Sequence, residues 1–165
     1  MSLPKSPYGD CSMARIKYIY CDSCVFLAYF NAEIGRVDIL DKLFEHIKQD
    51  STSKLITSTL TIAEVTHTQS EKNKRTLKID LEKKLDKFWS DENLLEVVDV
   101  NEVIVREARR LIRLAIQEGY SLKPPDAIHL ATAQLLKVTK FITYDDLGRY
   151  AKWVTYTIEE PTEQI

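Results

Sequence analysis

The sequence predicts an α/β fold, a three-layer α/β/α sandwich with a central parallel sheet of about five short strands. Three observations carry this reading. Short apolar, β-branched or aromatic runs recur along the chain, amphipathic runs at helical spacing separate them, and no low-complexity linker interrupts the alternation. Strands that read as continuous apolar runs belong to a parallel sheet covered on both faces.

Each element has its own signal. Residues 16–21, IKYIYC, predict a buried strand, and SCVFLAYFNA after it a short helix. RVDILDKLFEHIKQ sets Val37, Leu40, Leu43, Phe44 and Ile47 on one helical face. KLITS at 54–58 predicts a second strand, and TLTIAEVTHTQ a helix capped by Ser58 or Thr59. RTLKIDLEKKLDKFW carries a stripe of Leu77, Leu81, Leu85 and Phe88 and predicts a helix over 75–89. LLEVVDV is a third strand. NEVIVREARRLIRLAIQEG is a helix opened by Asn101 and ended near Gly119, and PDAIHLATAQLLK is another. KFITYDD is a strand running into acids, WVTYTI a last short strand, and EEPTEQI a loose tail. The expected division is an N-terminal extension over 1–15, one domain over 16–157 and a tail over 158–165.

Composition narrows the function classes. A chain of 165 residues fits one domain with a real core. Apolar residues make up 44% and charged residues 29%, which is globular composition. The formal charge of −2 demands neither a nucleic-acid nor a membrane partner, although local basic surface can hide in the sum. No apolar run approaches the ~20 residues that span a bilayer. The N-terminus lacks an apolar signal core, and Cys11, Cys21 and Cys24 do not suggest a disulfide framework, so a cytoplasmic protein is expected. Cys21 and Cys24 read as buried thiols rather than a redox pair.

The acids fall at chosen places. Right-handed crossovers put the strand C-termini along one edge, where open α/β sheets bind ligands. Asp22 ends the first strand and Asp145 the fourth, with Asp146 beside it; Glu64 lies in the helix after the second strand. Asp126 occupies the first turn of its helix, where by itself it reads as a dipole partner. His129 shares a helical face with Asp126 and reads as a packing or supporting residue. Four carboxylates from four separated segments can therefore converge. Such a cluster is tolerable only if protonated or if it holds cations, and hard cations such as Mg²⁺ prefer oxygen ligands. Two basic features stand apart: Arg106, Arg109, Arg110 and Arg113 form an outward stripe, and KNKRTLK a patch. Either can be a solvated face or a contact for RNA phosphate or a partner protein.

Four stretches together resemble the PIN domain family and its VapC-like toxin branch. YCDSCVFLAYF is similar to the family's first motif, STLTIAEV to the second, PPDAIHLATA to the third and FITYDD to the fourth. The resemblance covers residues 16–157 and implies Asp22, Glu64, Asp126 and Asp145 as the catalytic, metal-binding set, with Asp146 as the alternative fourth acid. Ser23 and Thr143 would orient the acids or bind metal waters, with His129 behind them. The small residue often found two after the first acid is Cys24 here. The implied function is a Mg²⁺- or Mn²⁺-dependent endoribonuclease, the toxin of a type II toxin–antitoxin pair, cleaving RNA with metal-activated water. Its expected partners are RNA, a small antitoxin protein and a second copy of itself, with no membrane. Two rivals remain: a catalytically inactive PIN-like module that binds a partner, and a phospho-receiver domain. The receiver reading suffers because the first strand ends in CDSC, with a single acid.

Overall fold

The computed structural model describes residues 16–164. The expected N-terminal extension, with Cys11, lies outside the described residues, as does Ile165. Five parallel strands form one sheet in the order β3-β2-β1-β4-β5, built from β1 (Lys17–Cys21), β2 (Ser53–Ser58), β3 (Leu95–Val98), β4 (Lys140–Ile142) and β5 (Thr157–Glu159). The helices are α1 (Ser23–Phe30), α2 (Val37–Gln49), α3 (Thr59–Glu64), α4 (Gln69–Lys74), α5 (Ile79–Trp89), α6 (Glu102–Gln117) and α7 (Pro124–Leu135), with a 3-10 helix over Gly148–Trp153.

Alternation along β1 sorts the two cores. Ile19 and Cys21 point into one apolar cluster with Val25, Phe26, Leu40, Leu43 and Leu55, which α1, α2 and α5 cover. Tyr20 points into the other with Leu111, Leu130 and Phe141, which α6 and α7 cover. The three layers expected from the sequence are therefore present. Each fully buried Leu, Ile or Phe in these clusters contributes roughly 1.5–3 kcal/mol relative to exposure. Ile19 is paired with Leu55 on one side, and Tyr20 lies between Ile56 and Phe141. The chain builds the sheet outward from β1 to β3, then returns to the other side of β1. Strand order thus reverses between β1 and β4, where such sheets open a crevice.

Three expected elements differ. The helix expected over 59–69 ends at Glu64, because Val65 leaves helical geometry (φ −103°, ψ 64°) and Thr68 starts a separate helix. Thr68 and Glu71 form a reciprocal capping box that specifies this new start. The helix expected from Arg75 begins only at Ile79: Arg75 adopts a left-handed conformation (φ 51°) that stops α4, and Leu77, counted into the apolar stripe, is 80% exposed outside any helix. The last strand starts at Thr157, since Trp153 belongs to the 3-10 helix, and it extends past the expected WVTYTI run to take in Glu159. Among the described residues no helix is long and apolar enough to cross a membrane.

Candidate metal centre at the sheet edge

Asp22 follows the last residue of β1 directly and is 2% exposed. Its own N–H donates to the Ile142 carbonyl (3.1 Å), so the backbone ties it to the end of β4. Oδ1 accepts from the Ser23 N–H at 2.6 Å and from the Ser23 hydroxyl at 3.2 Å. Oδ2 accepts from the Thr143 hydroxyl at 3.0 Å. A hydroxyl has one proton to give, so Thr143 Oγ1 accepts from the Asp145 N–H (3.0 Å) and the Cys24 thiol (3.2 Å). Burial pushes the Asp22 carboxyl above the usual carboxylate range and the Asp145 charge adds to this, while His129, Thr143 and Ser23 pull it back.

Asp126 does not cap its helix. It follows Pro124 and Pro125, which have no N–H to offer, and its carboxylate makes no hydrogen bond among the described residues. It stands half-buried, and burial followed by the charges of Asp22 and Asp145 raises its pKa. Both Asp22 and Asp126 therefore feel the Asp145 charge. Asp145 is exposed, whereas Asp146 pairs instead with Arg149. One ligand atom each from Asp22, Cys24 and Asp145 lies within 4.8 Å of the others.

Glu64, the last residue of α3, reaches the site through His129. The ring is 1% exposed; its Nε2 stands 2.7 Å from Glu64 Oε2 and 3.6 Å from Asp22 Oδ1, and its Nδ1 2.7 Å from the Tyr20 hydroxyl. A carboxylate only accepts, so Nε2 carries a proton toward Glu64; in the neutral ring Nδ1 then accepts from Tyr20. Burial alone would raise the Glu64 pKa, but the His129 hydrogen bond and charge, with Ser23, outweigh it and hold this acid below its ordinary value.

Asp22 and Asp145 thus lie together at the β1/β4 edge with Ser23 and Thr143, Asp126 is near enough to feel both charges, and Glu64 is linked to Asp22 through His129. Sequence reasoning missed Tyr20, whose role depends on a ring 109 residues away. Cys24, read as a thiol that fits, lines the same cluster. Burial and then Asp22 push its pKa up to about 12, so it stays a protonated thiol at neutral pH. The available oxygens suit a hard divalent cation, and a protonated thiol competes weakly for one.

The model of the PIN domain family matches residues 19–151, most of the chain. This chain belongs to the PIN domain family. Solved structures agree with that fold. A VapBC complex of Rickettsia felis bound to a promoter DNA fragment shares 18% identity at a TM-score of 0.64, over 87% of this chain and 97% of that one. The FitAcB structure of Neisseria gonorrhoeae matches at 18% identity and a TM-score of 0.61, over 87% of this chain and 97% of that one. A VapC toxin of Mycobacterium tuberculosis that cleaves the sarcin-ricin loop matches at 16% identity and 0.58, over 82% of this chain and 94% of that one. At such identities the likeness is one of fold. No curated protein sequence matches the chain. In this PIN domain the acids come from the residue after β1, from α3, from α7 and from the segment after β4.

Proposed function

We propose that this PIN domain is a metal-dependent endoribonuclease and the toxin of a type II toxin–antitoxin pair. The observation that carries the reading is the crowding of carboxylates at the β1/β4 crevice, where Asp22 is buried beside Asp145 and Asp126 is half-buried near both. Carboxylates crowded by burial and by neighbouring like charges make a good cradle for a cation. Asp22, Asp126 and Asp145, with Glu64 beside them, would hold Mg²⁺ or Mn²⁺. When bound, the ion supplies charge stabilisation for the phosphodiester and a more acidic water.

The chain's own groups do the rest. Thr143 and Ser23 fix both oxygens of Asp22, and Thr143 also positions the Asp145 backbone. His129 keeps Glu64 ionised and aimed at the same crevice. Asp146, tied to Arg149, stays outside this set. The reading includes RNA as substrate, a small neighbouring protein as inhibitor, a second copy as dimer partner and the cytoplasm as the place of action. The toxin and antitoxin complexes among the similar structures support the partner.

The test is cleavage of an RNA pool with Mn²⁺ or Mg²⁺, by wild type and Asp22→Asn, with and without the small protein encoded beside it. Wild-type cleavage that both the substitution and the neighbour abolish is the expected result. Cleavage by both proteins alike would refute the metal centre. A neighbour that neither binds nor inhibits would remove the toxin role and leave the nuclease.

A further inference from the structure

A groove of about 400 Å³ adjoins the acid cluster and is lined by Cys24, Glu64 and Asp145. Arg36, His67 and Lys72 line it too, with Glu33 beside Arg36. Resting on the nuclease reading, we propose that this groove is the track for a single-stranded RNA flank. Lys72 and His67 hold its phosphates, and Arg36 stacks a base beside the scissile bond.

The wall is built to stay in place. Glu71 is 3% exposed although it lies in the most basic stretch of the chain. Its Oε2 accepts from the Thr68 N–H (2.9 Å) and its Oε1 from the Lys78 N–H (2.7 Å), closing a loop that presents Lys72, Lys74, Arg75 and Lys78. Asn31 Oδ1 accepts from the Gln69 N–H at 2.7 Å and fastens the start of α4 to the end of α1. A charged side chain on a fixed backbone loses less freedom when it meets a ligand.

The cations are open on the groove side. Lys72 has no carboxylate within 4.0 Å among the described residues. His67 engages Nδ1 with the Thr66 hydroxyl (2.9 Å), which leaves Nε2 for another partner. The Arg36 guanidinium lies 4.0 Å from the Tyr144 ring centroid and is held by Glu33 at 2.7 Å, yet its side chain is 44% exposed. A guanidinium over a ring keeps N–H groups free for phosphate and can stack a base on its exposed side. Acids and cations lining one groove match a strand whose scissile bond lies at the acids while its flanking phosphates meet the cations. An acidic peptide would match only the cations. Only unpaired bases can splay onto such a platform.

The stripe on α6 lacks this arrangement. Arg106 and Arg110 are paired along the helix with Glu102 and Glu107. Arg109 and Arg113, both exposed on α6, therefore serve as the control.

The experiment measures binding of a labelled single-stranded oligouridylate by fluorescence anisotropy across a salt series, with Ca²⁺ in place of Mn²⁺. The proteins are wild type, Lys72→Gln, His67→Gln, Arg36→Gln and Arg109→Gln/Arg113→Gln. Each groove variant is expected to weaken binding roughly tenfold at low salt, and Lys72→Gln to flatten the log–log salt slope by ~0.7, one phosphate contact on a single strand. Lys72→Arg restores both, melting temperatures stay unchanged, and the α6 pair binds like wild type. In Mn²⁺ cleavage the groove variants raise KM and keep kcat. Wild-type affinity and slope in all groove variants overturn the proposal, as does competition by polyglutamate equal to that by RNA or an absence of oligouridylate binding by wild type. Groove-dependent binding by a protein that cleaves no RNA upholds the track and refutes the nuclease reading.

Discussion

The hydroxyl of Thr143 donates to Asp22 Oδ2 at 3.0 Å, joining two residues that stand 121 positions apart. That bond makes the crevice one unit, since the same oxygen accepts from the Asp145 N–H. Thr143→Val keeps the shape and deletes the hydroxyl. Leaving a buried carboxylate short of a donor costs about 1.5–3 kcal/mol. Urea denaturation should show that loss, and Mn²⁺-dependent cleavage should fall with it. A Val variant as stable and active as wild type would mean the bond positions nothing.

Metal should stabilise the fold. A cation that binds only the folded chain adds ~2.7 kcal/mol at a free concentration a hundred times its Kd. Melting temperature is therefore expected to climb as Mn²⁺ or Mg²⁺ is added to chelated wild type, and to climb less for Asp22→Asn. Equal curves for the two proteins would move the ion elsewhere.

Asp126→Asn separates structure from chemistry. Asp126 caps nothing, so the amide should leave melting unchanged or raise it by removing one charge from a crowded site. Cleavage should drop steeply, each ~1.4 kcal/mol of lost transition-state stabilisation being tenfold in rate. Undiminished cleavage by a well-folded Asn variant would exclude this acid from the chemistry.

The metal-free protein should lose stability as pH rises above the usual carboxylate range. Asp22 and Asp126 keep protons in the folded chain that the unfolded chain has already released, so each pH step through that window favours unfolding. Glu64 has the opposite sign: its contribution is present above the ordinary glutamate range and fades as pH falls through its lowered value. The two windows lie on opposite sides of the ordinary range. Urea midpoints taken across pH should show Asp22→Asn gaining on wild type as pH climbs; parallel curves would show that burying this charge costs nothing.

Much of this was legible because the signals were local. A strand ending in an acid, as at Asp22, and two prolines before Asp126 are visible in a few letters. The break between α3 and α4 was also written there, since Thr68 and Glu71 stand at capping-box spacing after a β-branched run. Helical periodicity masked it: Leu77 matched a stripe that Arg75, by turning left-handed, takes out of the helix. The link from Tyr20 through His129 to Glu64 joins three distant segments, and no short-range pattern encodes it. Nothing in the letters sets Glu71 apart from the lysines after it, because a carboxylate satisfied by backbone N–H groups leaves no mark on composition.

The β1/β4 seam also fixes when the crevice can exist during synthesis. Asp22 is made first, Thr143 follows 121 positions later with Asp145 just beyond it, and β1 meets β4 only after α7 has been made. A nascent chain halted between α7 and β4 carries Asp22, Glu64 and Asp126, but no finished pocket to hold them together. The pocket therefore comes together only once the ribosome has translated the message through β4.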